Sequence, residues 1–277
     1  MTNKFSDRLF PYLPEEIDKI FNQLPQLLDG YIRQTHINDP KKTSTKDYQK
    51  PNIIRQKIDL TIPEKGLGHD FVFNYLKEQF LPYAQHLNSP KYMGHQVSNP
   101  LPLAAFSDGL TSFINQGMAI WEMAPVGTII EQTVIQWMLG KIGWKQTGNG
   151  TLTSGGSAAN LTALLAMRNN KYNLLSSSEK ENAVILVSSQ IHYSISRALK
   201  ILGFTDHQII SLDVNSDFQI DVSKLDLTIS ELTNSGKNII CIAATSGSTS
   251  VGIYSSSGPR TTKAPCVASF SKKAWPV

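Results

Sequence analysis

The sequence predicts an α/β fold in which a mainly parallel sheet carries helices on both faces. Two observations predict it: short apolar segments alternate with helical segments in the second half of the chain, and the apolar segments show no polar alternation. Strands of that kind are buried on both faces, as in parallel sheets with helical connections. With 277 residues, 40% of them hydrophobic, the chain can bury a substantial core.

The N-terminal part of the chain predicts helices at the periphery of this fold. One helix is expected to open at Pro14, since apolar residues follow it at helical spacing. These residues are Ile17, Ile20, Phe21 and Leu24. A polar connector is expected over residues 38–52 and another helix over about 70–83. We therefore expect residues 1–88 to form an N-terminal helical arm.

Two further helices are predicted after the composition changes near Ser89, over about 101–113 and 126–142. The second is expected to pack against a core through one apolar face. The residues of that face are Ile130, Val134, Met138 and Leu139.

Strands and helices then alternate regularly. Strands are expected at 150–153, 183–187, 208–212 and 238–245, and helices at 158–170, 192–202 and 221–235. The last helix is expected to end at Gly236, because glycine commonly follows the C-terminus of a helix. Sheets of this kind bind ligands beyond the carboxyl ends of their strands. Residues 89–254 are therefore predicted to form a large ligand-binding domain.

Residues 255–277 differ from the rest of the chain. They contain four basic residues and no acidic one, which accounts for the whole formal net charge of +4. The rest of the chain is neutral, so the basic balance does not indicate a nucleic-acid-binding face. Because these residues have neither helical nor strand periodicity, we expect an unstructured tail, and the abrupt change after Tyr254 suggests a non-native one.

Cysteine content and hydropathy indicate the compartment. The two cysteines, Cys241 and Cys266, suit a reducing environment and suggest no disulfide framework. The chain opens without the apolar core of a secretory signal, and its apolar runs are too short to cross a membrane. We expect a soluble, cytoplasmic protein without membrane or nucleic-acid partners, and no metal site is predicted.

Polar clusters follow three of the predicted strands. The first is Ser154-Gly155-Gly156-Ser157, directly before a predicted helix. Its glycines let the backbone approach a ligand, and the helix N-terminus offers unpaired N–H groups, so the segment predicts a phosphate site. The alternative is an ordinary turn between strand and helix, capped by Ser157.

The second and third clusters are 188–192, which ends in His192, and 246–249. A lone histidine after a strand also occurs as a simple capping residue, and a Ser/Gly cluster as a simple turn. In this order, however, the three clusters suit a planar phosphorylated cofactor. Its phosphate would take the helix N-terminus, and its ring would stack on the imidazole.

These segments resemble the pyridoxal-phosphate-dependent amino-acid decarboxylases, the group that includes glutamate, aromatic amino-acid and diaminobutyrate decarboxylases. The resemblance covers about residues 89–254. The turn at 154–160 resembles the family's phosphate-binding turn, with the contacts on Gly156 and Ser157. His192 matches the histidine that stacks on the pyridine ring.

Further segments carry the same resemblance. Residues 244–249 are similar to the family's Ala-Thr-x-Gly-Thr-Thr, which implies that Thr249 lies near the cofactor. Residues 89–96 resemble a segment that lines the substrate pocket, which makes His95 and Gln96 candidate substrate-binding residues. The alternative is that these two cap the helix near Leu101. Glu122-Met123-Ala124-Pro125 and Glu131 resemble the segment before the family's second helix.

The resemblance implies the fold type I large domain of PLP-dependent transferases, pyridoxal 5'-phosphate as cofactor, decarboxylation of an L-amino acid and a homodimer. Two of the family's motifs have no counterpart: the Asp that bonds the pyridinium nitrogen and the Schiff-base lysine. No Asp or Glu follows Tyr254. We therefore expect a chain that a frameshift or truncation ends before the lysine, with a fold incomplete at the C-terminus, and that is inactive.

Other readings differ in what they require. The chain could be a non-catalytic fragment that binds the cofactor or another subunit, or a related enzyme such as an aminotransferase. Residues 155–159 superficially match a serine-hydrolase elbow, but no acid and later histidine follow, since the last histidine is His207. No Gly-x-Gly-x-x-Gly opens a helix after a strand, which argues against a Rossmann site.

Overall fold

The computed structural model describes residues 14–35, 49–95, 97–144, 148–246 and 266–270. The chain divides into two compact units, Met1–Phe113 and Ile114–Val277. The boundary expected between residues 88 and 89 therefore lies inside the first unit.

The first unit is helical where the structure describes it. Its elements are α1 (Pro14–Thr35), α2 (Pro51–Lys57), α3 (Gly68–Tyr75), a π turn (Leu76–Phe80), a 3-10 turn (Leu81–Tyr83) and α4 (Pro102–Ile114), whose last residue belongs to the second unit. Gln23 Nε2 donates to Asp70 Oδ1 over 2.7 Å, which ties α1 to α3. The apolar side chain of Phe21 stays 55% exposed on α1, although its ring stacks 6.1 Å from that of Phe113.

The second unit alternates helices and strands. Its regular elements are α5 (Pro125–Lys141), α6 (Gly156–Asn170), α7 (Ser177–Asn182), β1 (Ala183–Ser188), α8 (Tyr193–Ile201), β2 (Ile209–Leu212), α9 (Val222–Asn234), β3 (Asn238–Ser246) and β4 (Cys266–Phe270), with 3-10 turns at Trp121–Met123, Tyr172–Leu174 and Asp206–Gln208.

The four strands form one sheet in the order β2-β1-β3-β4, and all neighbouring pairs are parallel. In the middle of the sheet, Leu186 of β1 lies opposite Ile210 of β2 and Ile242 of β3. The chain moves from β1 outward to β2, and from β3 outward to β4. The carboxyl ends of β1 and β3 therefore flank the switch point at which sheets of this class bind ligands.

Apolar clusters cover both faces of the sheet. One joins β1 and β3 to α6 and α8; its fully buried members include Leu164, Ile185, Ile195 and Leu199. The other joins Leu186, Leu212 and Ile242 to partly buried residues of α9. All six residues of β1 are buried; Ala183, Ile185 and Val187 belong to the first cluster and Leu186 to the second. The predicted α/β class is confirmed, with helices on both faces.

A β-bulge interrupts the pairing of β1 with β3. Val184 lies opposite Ile239, but the next residue of β1, Ile185, lies opposite Cys241. One residue of β3, Ile240, is therefore extra, and Ile240 and Cys241 both pack into the cluster with α6 and α8.

The strand predicted at 150–153 is wrong. The Leu152 N–H donates to Glu131 Oε1 over 3.0 Å, and Gln136 Nε2 donates to the carbonyl oxygen of Gly148 over 3.2 Å. Side chains of α5 thus take hydrogen-bonding positions that a neighbouring strand would fill.

The apolar face predicted for α5 is also partly wrong. Ile135 and Leu139 are the buried residues of this helix, whereas Ile130 and Met138 are 58% and 40% exposed. The buried stripe is displaced because Ile135 packs toward the chain at Gly150, where an added Cβ would meet Ile135 Cγ2 at 3.2 Å.

The tail expected to be unstructured contains a strand. Cys266–Phe270 pairs in parallel with β3, and Ala268 lies opposite Ala244. The backbone groups on the outer side of β3 supply the template for this pairing. The expectation is wrong for these residues, and the rest of the tail lies outside the described residues.

Neither a membrane span nor a metal cluster occurs in the part of the chain that the structure describes. No helix there has the length and hydropathy to cross a bilayer, and no group of His, Cys, Asp and Glu side chains is arranged to hold a metal ion.

Both ends of α9 follow simple stereochemical rules. Asp221 Oδ1 accepts from the backbone N–H groups of Ser223 and Lys224, over 3.1 and 3.4 Å, and so caps the helix. Gly236 follows the helix with φ of 79°, a conformation that favours glycine, as predicted. The hydroxyl of Ser223 and the Lys224 N–H lower the pKa of Asp221, because they bind its charged form.

Replacing Asp221 is expected to destabilise the protein in a pH-dependent way. Because the folded state lowers the pKa, the stabilisation is complete above the ordinary Asp value of about 3.9 and is lost as the pH falls through the folded-state value. Asp221→Ala should lower the thermal unfolding midpoint at neutral pH, and the difference from wild type should vanish in strong acid. Asp226→Ala, on the same helix, is the control; an equal loss from both would contradict the capping role.

Candidate functional site

The segment before the glycine-rich turn is hydrogen-bonded to a side chain of α5. The Glu131 carboxylate accepts the Leu152 N–H over 3.0 Å, and at the turn itself Thr153 Oγ1 donates to the carbonyl oxygen of Gly155 over 3.0 Å. These two contacts hold the backbone directly before and within the turn.

The helix that follows the turn begins without a side-chain cap. Gly155 is the N-cap residue of α6, and no side chain among the described residues bonds there. Ser157 lies inside the first turn, so the reading in which it caps the helix is wrong. The first N–H with an intrahelical partner is that of Ala159, which donates to the carbonyl oxygen of Gly155 over 3.0 Å. The N–H groups of the first turn are left for an anion.

The space beside this turn is open. A Cβ added at Gly155 or at Gly156 would meet no atom within 4 Å. Gly155 has an extended backbone with φ of 167°, which any residue adopts. Neither packing nor backbone strain therefore accounts for these two glycines. The open space suits a group that approaches the backbone closely, and the helix dipole favours a negative one.

His192 caps α8 directly after the carboxyl end of β1. It follows β1 and is the N-cap residue of α8, where its Nδ1 accepts the N–H of Ser194 over 3.2 Å. The alternative reading of His192 as a capping residue is thus confirmed for Nδ1. The imidazole remains exposed, and its centroid lies 4.4 Å from that of Tyr193 with 36° between the ring planes.

A hydrogen-bonded relay joins the two helix N-termini. Asn160 Nδ2, one turn into α6, donates to Ser194 Oγ over 2.9 Å. Ser194 Oγ lies 2.7 Å from His192 Nδ1. The contact of α6 with α8 therefore links the helix that follows the glycine-rich turn to the imidazole.

The third strand end contributes an unpaired hydroxyl. Thr245 Oγ1, near the carboxyl end of β3, is buried and has no hydrogen-bond partner among the described residues. A buried hydroxyl without a partner is costly, so this atom is available to a ligand at the switch point.

The remaining predicted site residues are placed less fully. Thr249 and Gln96 lie outside the described residues. His95 is exposed, its backbone N–H donates to Tyr92 Oη over 3.2 Å, and it belongs to the first unit. The alternative, that His95 and Gln96 cap the helix that begins at Pro102, stays a prediction.

Four contributing residues receive no role in the site from the sequence: Glu131, Asn160, Ser194 and Thr245, although all but Ser194 lie in segments that carry the family resemblance. Asn160 and Ser194 each lie within the first turns of a helix that starts at a predicted polar cluster. This position is a feature of the sequence that could have marked them both as part of the site. Glu131 acts from another helix through the fold, and no local pattern marks its contact.

The first unit also holds a cleft of ≈ 840 Å³, lined by residues of α1 and α3 and of the turns after α3. None of the predicted site residues lines it. The chemistry assembled in the second unit is therefore the better candidate site.

Together these groups suit a planar phosphorylated molecule. The uncapped turn provides N–H donors for a phosphate, the imidazole provides an aromatic face and one exposed edge, and Thr245 provides a hydroxyl near the switch point. This donor set is composed of neutral N–H and O–H groups, which suits an anion and not a metal ion.

Comparison with known proteins agrees with this reading. Residues 51–258 match the family model described as the pyridoxal-dependent decarboxylase conserved domain. An aromatic-L-amino-acid decarboxylase from Bacillus atrophaeus is 32% identical over 221 residues, which are 80% of this chain and 45% of that protein. An L-2,4-diaminobutyrate decarboxylase from Acinetobacter baumannii is 24% identical, over 72% of this chain and 42% of that protein.

A solved structure shows the same fold. The structure of Catharanthus roseus tryptophan decarboxylase in complex with L-tryptophan matches 89% of this chain and 53% of its own with a TM-score of 0.77, at 19% identity. The chain thus spans about half the length of the relatives that it matches. Pyridoxal phosphate, the cofactor that the sequence predicts, is that of the matched family. The family model covers most of the chain, and the chain belongs to the pyridoxal-dependent decarboxylases.

Proposed function

We propose that this chain forms the phosphate- and ring-binding part of the cofactor site of an L-amino-acid decarboxylase. The observation that carries the proposal is the uncapped N-terminus of α6, joined to His192 through Asn160 and Ser194. Membership of the pyridoxal-dependent decarboxylase family supports the cofactor's identity. Pyridoxal 5'-phosphate has the two features that this arrangement suits, a phosphate and a flat ring.

Each group would have a separate task. The backbone N–H groups of Gly156 and Ser157 would hold the phosphate, and His192 would lie against the ring. Thr245 and Thr249 would provide hydroxyls near the cofactor. When bound, pyridoxal phosphate supplies an electron sink for the bond that is broken at the amino acid's α-carbon. The protein's part is to hold and orient it.

The substrate is proposed to be an L-amino acid that loses its carboxyl group as CO2. Its binding would involve His95 and Gln96, by their resemblance to the pocket-lining segment of the family. Relatives named for aromatic amino acids, diaminobutyrate and glutamate show how widely substrates vary within the group. The content of two cysteines, which suits a reducing environment, favours the cytoplasm as the compartment.

The 277 residues by themselves are proposed to bind the cofactor without turnover. They contain no match to the family's pyridinium-binding Asp motif or to its cofactor-binding lysine motif, and no acidic residue follows Tyr254. The non-catalytic alternative, a fragment that binds cofactor or a second subunit, therefore describes this polypeptide on its own.

A second copy of the chain is the proposed protein partner. Large apolar side chains of α4 are exposed, among them Leu103 at 75% and Phe106 at 68%. Exposed apolar surface of this extent commonly marks an interface between subunits.

Binding without turnover is the first expected outcome. 4'-Deoxypyridoxine 5'-phosphate is a suitable probe, because it has the ring and phosphate but no aldehyde that could react with surface lysines. The purified chain should bind it by equilibrium dialysis, with competition from pyridoxal phosphate. It should release no CO2 from carboxyl-labelled aromatic amino acids, diaminobutyrate or glutamate. Lack of binding would contradict the site, whereas CO2 release would contradict only the predicted inactivity.

Gly156→Ala should separate folding from binding. The added Cβ meets no atom of the described residues within 4 Å, and alanine is the better helix former, so the thermal midpoint should not fall. Affinity for the probe should drop at least about tenfold, because the methyl group occupies space at the phosphate seat. Gly140→Ala on α5, also without a neighbour within 4 Å, is the matched control and should leave the affinity unchanged. Unchanged affinity in Gly156→Ala would argue against a close approach of ligand there.

Phe106→Lys should weaken self-association. A charge in a buried apolar interface is costly, so light scattering after gel filtration should show a lower average mass at the same concentration. Ser107→Lys, at the neighbouring position of α4, is the control for added charge. Equal masses for Phe106→Lys and wild type would remove α4 from the proposed interface.

A further inference from the structure

We propose that Asn160 is a positioning residue that sets the tautomer and the ring orientation of His192 through the hydroxyl of Ser194. The inference deepens the proposed function and rests on it, because it assigns the ring of His192 to the ring of the cofactor. It stands on two contacts, Asn160 Nδ2 to Ser194 Oγ at 2.9 Å and Ser194 Oγ to His192 Nδ1 at 2.7 Å.

The directions of these hydrogen bonds follow from what each atom can do. The backbone N–H of Ser194 can only donate, and it points at His192 Nδ1 over 3.2 Å, so that nitrogen carries a lone pair and no proton. The Ser194 hydroxyl must therefore donate to Nδ1 as well. Its oxygen then accepts from Asn160, whose amide nitrogen is a pure donor. The neutral ring keeps its proton on Nε2, the nitrogen that the relay leaves free.

The burial of Ser194 and Asn160 favours one orientation of the His192 ring over the other. Ser194 is 3% exposed and Asn160 is half-buried, while His192 is exposed. The ring is thus oriented from its buried side and open on its other side. Turning the ring over would replace Nδ1 by a C–H group and leave both the Ser194 N–H and its hydroxyl without their acceptor, which is costly for buried groups.

Capping alone does not require Asn160. The N–H of Ser194 approaches Nδ1 only to 3.2 Å, whereas its hydroxyl makes the shorter contact of 2.7 Å, and the direction of that hydroxyl depends on whether its neighbour donates or accepts. Asn160→Asp keeps the shape of the side chain and reverses that role. The hydroxyl would then donate to the carboxylate and turn its lone pairs toward Nδ1, which weakens the preference for the Nε2–H tautomer because only the longer contact from the Ser194 N–H still favours it.

The first measurement is the tautomer of His192 in the full chain without cofactor. Long-range ¹H–¹⁵N correlation spectra are recorded at about pH 8.5, well above the ordinary imidazole pKa of about 6.5. His192→Gln identifies the signal among the six histidines. Wild type should show Nδ1 at its unprotonated position, and Asn160→Asp should move it toward the value of a mixed population, as for the exposed His95.

The matched control is Asn169→Asp on the same helix. Asn169 Oδ1 accepts from Asn173 Nδ2 over 3.1 Å, a role that a carboxylate retains, and the variant adds the same charge to α6. Its His192 signal should match that of wild type. If Asn160→Asp leaves the His192 signal in place, the inference is overturned, whatever the chain binds.

The second measurement links the relay to the cofactor ring. Asn160→Ala should weaken binding of 4'-deoxypyridoxine 5'-phosphate about fivefold, the effect of one hydrogen bond, and that of inorganic phosphate by less than about twofold. In a His192→Ala background the substitution should cause no further loss. An equal loss for both compounds would place Asn160 in the phosphate seat and overturn the proposal. A chain that binds neither compound would overturn the proposed function itself, an outcome separate from the tautomer result.

Discussion

The double burial of β1 is the constraint on which the rest of the second unit depends. All six of its residues are buried, and it pairs with β2 on one side and β3 on the other. Its side chains alternate between the cluster with α6 and α8 and the cluster with α9, so three helices pack against this one strand. His192 follows it closely in sequence. The imidazole therefore follows a strand that is buried along its whole length, a firm support for an orienting group.

The two helices at the candidate site begin differently, and their N-termini therefore have different roles. The N-terminus of α8 is satisfied by its own histidine, whereas that of α6 has no side-chain cap. The N-terminus of α8 fixes the orientation of the His192 ring, whereas the N-terminus of α6 keeps N–H groups that can bind an anion. Asn160 and Ser194 couple the two, since a shift of either helix would break their hydrogen bond. The site is thus formed as much by a helix–helix contact as by the sheet edge.

Local patterns were sufficient for most of the architecture. The apolar runs of β1, β2 and β3 and the helices between them were predicted correctly, because strand and helix periods are written into short segments. The wrong predictions concern segments whose structure depends on contacts distant in sequence. The segment 150–153 is hydrogen-bonded to a side chain of α5 instead of a strand, and Cys266–Phe270 forms a strand because it pairs with the edge of β3. At the site, the glycine turn and His192 could be found from residue type and position. Asn160 and Glu131 could not, since their partners are distant in sequence.

The bulge between β1 and β3 determines which face of the sheet the later side chains of β3 point to. Because Ile240 and Cys241 share one face, alternation after them directs Ala243 and Thr245 toward α6 and α8. In an unbulged strand the same spacing would turn Thr245 toward α9. Flattening the bulge without shortening the strand would therefore keep every apolar residue in a strand, yet carry the Thr245 hydroxyl to the opposite side of the sheet, whereas deletion of Ile240 alone would close the bulge and leave Thr245 on its present side. The length of β3 and the presence of its bulge are therefore coupled, for a geometric reason that hydropathy does not reveal.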